Sequence, residues 1–321
     1  MSDKESTKNP QMREIFGQTL AELGQEHDDI LVLDADLHTS TRISYFKEKY
    51  PERFIQVGIA EQNLFGIAAG LATVGYKPFP CTFASFVSRK SIDQFALSIC
   101  FPELDVKVPG SYVGLPTSKA GASHNSFEDI AFMRTIPNLK VAAPGDPADM
   151  RAIMKTAYET PGPVYFRVVR YALPDIFGGD HVFEWGKGRL VREGSDVTLF
   201  GTGMMTDRCL KAAEMLAKEN ISAEVIHLAS IKPIDEHMII ESVAKTGCAV
   251  TAENASIIAG FGAAVAEVLV ENYPVPMKRI GIRDHWVDSG EIEELFQYYQ
   301  MQPEDIAKAA VESIKLKESR L

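Results

Sequence analysis

The run GIAEQNLFGIAAG, residues 58–70, sets one carboxylate, Glu61, and two amides, Gln62 and Asn63, among apolar and small residues. A carboxylate moved into a weakly solvated place is heavily penalised unless it finds a partner or takes up a proton. Glu61 therefore has either a structural reason to be there or a task in proton transfer. The structural reading is a helix start over residues 61–73, because acidic residues and Asn are favoured in a first turn. Further along, FPCTFASFVSRKSIDQF places Phe83 and Phe86 three apart where a strand runs into a helix. That spacing suits core packing. It equally suits a platform for a flat ring, since aromatic contacts add about 0.5–1.5 kcal/mol beyond the area they bury. Arg170 ends the apolar run PVYFRVVR, where a guanidinium is well placed to bind an anion.

The elements that must position these groups alternate along the chain. Short β-branched runs, ILVLDA (30–35), YKPFPCTF (76–83), LDVKVPG (104–110), LKVAAP (139–144) and PVYFRVV (163–169), are separated by helical patterns. Met12, Ile15, Phe16, Leu20 and Leu23 form one apolar stripe, and PADMRAIMKTAYE (147–159) carries another. This alternation is the signature of βαβ units around a parallel sheet. The stretch 171–188, with turn formers and no clean period, reads as a connection. A second α/β series then runs through DVTLFGTG, AEVIHLA, CAVTAE and MKRIGI to two terminal helices near 290–298 and 303–318. The fold class expected is α/β, with two domains, each a mostly parallel sheet flanked by helices. Ligands of such sheets bind at the carboxyl ends of the strands, which directs attention to the loops after Asp36, Phe83, Gly110 and Arg170.

Composition narrows the function. The 321 residues are 45% hydrophobic and carry a net charge of −11 without a long acidic block. That balance argues against nucleic acid or an anionic membrane surface as a main partner. The four cysteines are far apart with no metal-ligand spacing, the start MSDKESTKNPQ lacks an apolar core, and no uncharged run is long enough to span a bilayer. The expectation is a soluble, cytoplasmic protein.

Taken in order, GIAEQN, CTFASF, GASHNSFEDIAFMRTIPNLKVAAPGD, GPVYFRVVR, IKPID and TAENASIIAGFGAAVAEVL resemble the C-terminal part of transketolase, from about Arg13 to the last helix. The resemblance implies a pyrimidine-binding domain (1–175), a linker (176–190) and a transketolase C-terminal domain (191–321). It implies thiamine diphosphate as cofactor. The family's GDG motif, which holds the diphosphate and Mg²⁺, is absent: the nearest match, Gly145-Asp146, is followed by Pro147. The chain thus looks like one subunit of a split enzyme, completed by an N-terminal, diphosphate-binding subunit in an α₂β₂ assembly. By resemblance, Glu61 contacts N1′ of the aminopyrimidine and shares a proton there, and Phe83 and Phe86 pack against the ring. Arg13, Ser40, His124 and Arg170 match positions that bind the phosphate of a sugar substrate or line its entrance, with Glu61 and His124 as catalytic candidates. Each has a plainer reading: Arg13 as a solvated charge opening a helix, Ser40 as a helix cap, His124 as one polar-loop histidine.

Where transketolases carry a loop close to GSHxGxxxGEDG, this chain reads GSYVGLPTSKAGASH. Tyr112 then stands at the family's His and Ala120 at its Asp, two groups that contact the donor sugar. Loss of such polar contacts changes substrate selection strongly, so the identity of the ketose is left open, an atypical one included. Lys119 beside them is either an anion contact or an exposed loop charge. The family's acidic-His pair in the C-terminal domain appears as Glu253-Asn254, for which the sequence offers no physical reason. Two other readings stay open: a β-type subunit of a 2-oxo acid dehydrogenase or a deoxyxylulose phosphate synthase-like enzyme, and a non-catalytic paralogue.

Overall fold

A computed structural model describes residues 9–319; the polar residues 1–8 and the last two lie outside it. The first α/β series runs α1 (Met12–Glu26), β1 (Ile30–Asp34), α2 (His38–Thr41), α3 (Ser44–Lys49), β2 (Phe54–Gln56) and α4 (Glu61–Thr73). It continues through β3 (Lys77–Phe83), α5 (Ala84–Arg89), a π-helical turn (Gln94–Cys100), β4 (Lys107–Ser111), a 3₁₀ segment (Leu115–Ala120), α6 (Asp129–Thr135), β5 (Lys140–Ala142), α7 (Pro147–Glu159) and β6 (Val164–Val168). The second comprises β7 (Arg189–Arg192), β8 (Val197–Gly201), α8 (Met205–Lys218), β9 (Ala223–His227), β10 (Ser230–Lys232), α9 (Glu236–Thr246), β11 (Ala249–Ser256), α10 (Phe261–Asn272), β12 (Met277–Ile282), α11 (Ile292–Tyr298) and α12 (Pro303–Glu318).

Two sheets result, ordered β10-β5-β6-β4-β3-β1-β2 and β12-β11-β8-β9-β7. Every pairing is parallel except β10 with β5 and β7 with β9, each of which adds an antiparallel edge. Strands β1, β4, β6, β8, β9 and β11 are buried along their whole length, as expected when helices cover both faces. The predicted stripe of α1 is buried as read, and Phe16 meets Phe166 of β6 at 6.0 Å. Among the described residues no helix is long and apolar enough to cross a membrane.

Three short strands escape the hydrophobic pattern. β2 and β10 have three residues each, and β7 opens at Arg189 inside the stretch read as linker. β10 belongs by sequence to the second series but pairs with β5, Ser230 opposite Ala142, and so completes the first sheet. The two units are also joined by side chains. Arg167 of β6 donates to both oxygens of Asp129 at 2.8 and 3.0 Å and to the carbonyl of Asn254 in β11 at 3.0 Å. The Asn254 Oδ1 in turn accepts from the backbone N–H of Leu115 at 2.9 Å. Glu253 caps α10, accepting from the N–H groups of Phe261 and Gly262. Burial pushes its carboxyl up to about 7, against the opposing pull of those two amides.

A second clasp is centred on Asp149 of α7, which is fully buried. It accepts from His181 Nε2 and His227 Nε2, each at 2.9 Å, and from the N–H of Gly145 at 2.8 Å. Arg189 donates to His181 Nδ1, which leaves that ring's proton on the nitrogen facing Asp149, and Thr206 Oγ1 lies 2.6 Å from His227 Nδ1. Burial alone would raise the Asp149 carboxyl; the histidine hydrogen bonds outweigh it and bring it down to about 2.

Because that value lies below the unfolded one, the stabilisation is present above about pH 4 and is lost as pH falls toward 2. Asp149→Asn is expected to cost roughly 2 kcal/mol at neutral pH and to flatten the acid limb of the stability curve, measured by urea unfolding from pH 2 to 7. Asn254→Ala leaves the Leu115 amide buried without an acceptor. It should cost about 1–3 kcal/mol and speed hydrogen exchange at Leu115.

Candidate active site

The sequence-predicted groups lie in a row along the carboxyl ends of the first sheet. Ser40 follows β1, Glu61 follows β2, Phe83 ends β3 with Phe86 in α5, Tyr112 follows β4, and Arg170 follows β6. The sheet order places β2, β1, β3, β4 and β6 side by side, so residues far apart in sequence become neighbours.

Two loops are set by one buried carboxylate. Asp34, the last residue of β1, accepts from the Leu37 N–H, His38 Nδ1 and Gln56 Nε2 at 2.7–2.9 Å. Gln56 then accepts from the N–H groups of Asp36 and Gly58. Gly58 has φ +73°, a conformation that favours glycine, and it turns the chain into α4. Glu61 is the first residue of that helix, so the helix-start reading holds for its position. Its side chain is only 4% exposed and accepts from Lys90 Nζ at 2.8 Å. An open cavity of about 580 Å³ adjoins it, lined by Ile59, Glu61, Asn63 and Lys90.

The aromatic pair stays together, with Phe83 buried and Phe86 partly so. The Phe83 and Phe86 rings stack with centroids 5.6 Å apart, and the His124 ring meets both edge-on at 5.8 and 5.5 Å. The His124 loop is held from beneath. Arg89 donates to Glu128 and to the carbonyls of Ala122 and Asn125, and Ser85 donates to the His124 carbonyl.

Tyr112 lies at the other end of the aromatic cluster, stacked on Phe83 at 4.1 Å, with its backbone at φ 62°. Its hydroxyl accepts from Arg13 at 2.9 Å, and the same guanidinium nitrogen donates to the Ser40 carbonyl at 3.0 Å. The Arg170 guanidinium lies 5.2 Å from the Tyr112 ring centre. Burial lowers the Arg13 guanidinium below its ordinary range, and Arg170 and Arg42 nearby push in the same direction. Two arginines, Arg13 and Arg170, thus meet at Tyr112 in a chain of net charge −11, with Arg42 near enough to act on Arg13 and itself paired with Glu14. Such a grouping is suited to an anionic ligand, whose charge relieves the mutual repulsion.

The structure therefore brings Arg13, Ser40, Phe83, Phe86, Tyr112, His124 and Arg170 into one cluster, with Glu61 joined to it through Lys90 and Phe86. Lys119 departs from the expectation of an anion contact and follows the plainer one: its Nζ pairs with Glu291 Oε1 at 2.7 Å, and both side chains are largely exposed. Ser118 beside it donates to the Gly290 carbonyl at 2.8 Å, so the loop before α11 holds the segment after Tyr112. Asp146 of the near-GDG stretch caps α7 and accepts from the N–H groups of Ile176 and Phe177, which occupies it structurally. The sequence reading missed Lys90, Arg42 and Arg89. The one available signal was their position, immediately after the aromatic pair in SRKSIDQF and after Ser40 in HTSTR.

Comparison with known proteins agrees over the chain's length. Residues 8–175 match the model for the transketolase pyrimidine-binding domain, and residues 186–306 match that for the transketolase C-terminal domain. The chain is 41% identical over 309 residues to the 6-deoxy-6-sulfo-D-fructose transketolase subunit SqwH of Clostridium sp. (strain MSTE9), covering 96% of each. It is 36% identical over 304 residues to a subunit of the apulose-4-phosphate transketolase of Phocaeicola vulgatus, covering 94% of this chain and 97% of the relative. A solved structure of a split-gene transketolase, described as an inactive β4 tetramer, matches with a TM-score of 0.90 at 46% identity, over 95% of this chain and 99% of that one. With both domains matched and the relatives covered nearly end to end, the chain belongs to the transketolase family, as a subunit built from its pyrimidine-binding and C-terminal domains.

Proposed function

We propose that this chain is the pyrimidine-binding half of a two-subunit, thiamine-diphosphate-dependent transketolase. It would move a two-carbon ketol unit from an anionic ketose to an aldose phosphate. A companion N-terminal subunit supplies the diphosphate and Mg²⁺ site in an α₂β₂ assembly, and the enzyme works in the cytoplasm. The observation that carries the reading is the Glu61 carboxylate, buried at the rim of an open cavity, with the Phe83–Phe86 pair reached through Lys90 and the arginines beyond Tyr112. A carboxylate, an aromatic face and free space are what an aminopyrimidine requires, so the residues present fit that part of the cofactor.

The cofactor, when bound, supplies the carbon nucleophile for cleavage of the ketose. Glu61 holds and shares a proton at the ring nitrogen of the pyrimidine, which a carboxylate at the mouth of a dry site does well. Phe83 and Phe86 pack the ring, and His124, edge-on to both, is placed to exchange a proton with a substrate oxygen. Arg13 and Arg170, with Arg42 behind them, hold the anionic end of the sugar; a guanidinium fork donates to phosphate or sulfonate oxygens alike. Tyr112 fills the place of the family's histidine, and its hydroxyl is engaged by Arg13. The donor channel therefore lacks the imidazole and carboxylate that His and Asp at positions 112 and 120 would present. The names of the two relatives, one for a sulfonated ketose and one for apulose 4-phosphate, support an anionic and unusual donor.

Glu61→Gln in the reconstituted pair is expected to lower kcat by about 10²–10⁴, with assembly unchanged by analytical ultracentrifugation. Near-normal turnover would remove Glu61 from the mechanism. Arg170→Ala should raise the donor KM roughly 10- to 100-fold with little change in kcat, from the loss of one charge-assisted contact. A panel of phosphorylated and sulfonated ketoses assayed with the pair identifies the donor; pyruvate decarboxylation without ketol transfer would overturn the transketolase reading.

A further inference from the structure

The Glu61 carboxylate and the cation that balances it are unequally buried: 4% of the Glu61 side chain is exposed, against 48% of Lys90. The Lys90 ammonium lies 2.8 Å from Glu61 Oε2 and 4.6 Å from the centre of the Phe86 ring. One positive charge thus sits between the carboxylate and the aromatic face. Under the function proposed above, that gap receives the aminopyrimidine, which needs the same carboxylate on one side and the same aromatic surface on another. The ammonium and the ring cannot both occupy it.

Lys90 can leave. It is the C-cap residue of α5, it carries a flexible four-carbon stem, and among the described residues its side chain makes no hydrogen bond besides that to Glu61. Glu61, by contrast, is fixed at the start of a helix. A carboxylate so buried needs a partner at all times, and an ammonium retained there would compete with the ring nitrogen for it. We propose that Lys90 is an exchangeable counter-ion. It partners Glu61 and keeps its side chain in place while the pyrimidine site is empty, and it swings out toward solvent when the ring arrives. The proposal rests on the cofactor reading given above.

The test uses Lys90→Met, which keeps the stem and removes the charge, and Lys90→Arg, which keeps the charge. In the first arm the isolated chain is melted without cofactor. Lys90→Met is expected to lower Tm, Lys90→Arg to restore it, and the Glu61→Gln/Lys90→Met double variant to recover most of the loss. Equal melting of Lys90→Met and the double variant would show no coupling and overturn the proposal whatever the protein does. In the second arm, thiamine diphosphate with Mg²⁺ is titrated calorimetrically into the pair reconstituted with the companion subunit. Lys90→Met should bind at least tenfold more tightly than the unmodified chain, because the ring then satisfies a partnerless carboxylate instead of displacing an ammonium. Lys90→Arg should bind no more tightly than the unmodified chain. Unchanged or weaker binding by Lys90→Met overturns the exchange alone. Absence of binding by the unmodified pair overturns the cofactor reading, and the exchange with it.

Discussion

The joint made by one buried guanidinium underlies the rest of the molecule. Arg167 projects from β6, is nearly inaccessible to solvent, and has its charge met by both oxygens of Asp129. Removing either partner would strand a charge in the interior, which is far costlier than never burying the pair. The pair is therefore weak evidence of extra stability and good evidence of a fixed geometry. Its third bond, to the Asn254 carbonyl, transmits that geometry to the second sheet. The Asn254 side chain then returns to the first unit at Leu115, in the segment that follows Tyr112. Of the Glu253-Asn254 pair, which stands where the family has an acidic-His pair, one residue caps α10 and the other holds the segment that follows Tyr112.

The charges of the chain follow a division of labour. Acidic residues dominate in number, whereas the cations with structural consequence are local. Arg89 organises the His124 loop, Arg13 and Arg170 meet at Tyr112, and Arg42 acts on Arg13 while pairing with Glu14. A surplus of negative charge elsewhere disfavours nonspecific polyanions. Arg170 and Arg42 both press on the Arg13 guanidinium, and Glu14 beside them offsets part of that repulsion.

Much of the fold was legible in the sequence because it depends on local pattern. Helix α7 ran over the predicted residues 147–159, with Asp146 as its cap and Pro147 at its first position, and the central strands fell where β-branched runs had placed them. The edge strands did not show. β2, β7 and β10 have only three or four residues, too few to display a period, and pairing to a neighbour distant in sequence defines them. In the site, residue types at strand ends pointed to Glu61, the Phe pair and Arg170, which the fold gathers along one sheet edge. What they lacked was partner identity. Lys90 meets Glu61 across 29 positions and Asn254 meets Leu115 across 139, and no local spacing announces either contact. The two readings of Lys119 stayed open for the same reason: its partner, Glu291, comes from the other end of the chain.

The crossing of β10 into the first sheet bears on how the protein is made. A ribosome that has released only the first 175 residues has delivered six of that sheet's seven strands, and β5 then offers an open edge of unpaired backbone groups. Such an edge invites pairing with other chains until Ser230–Lys232 emerges to close it. The first sheet therefore gains its last strand only after the following unit has begun to emerge. Its completion waits for the following unit, and a gene boundary placed between the two would separate a sheet from its last strand.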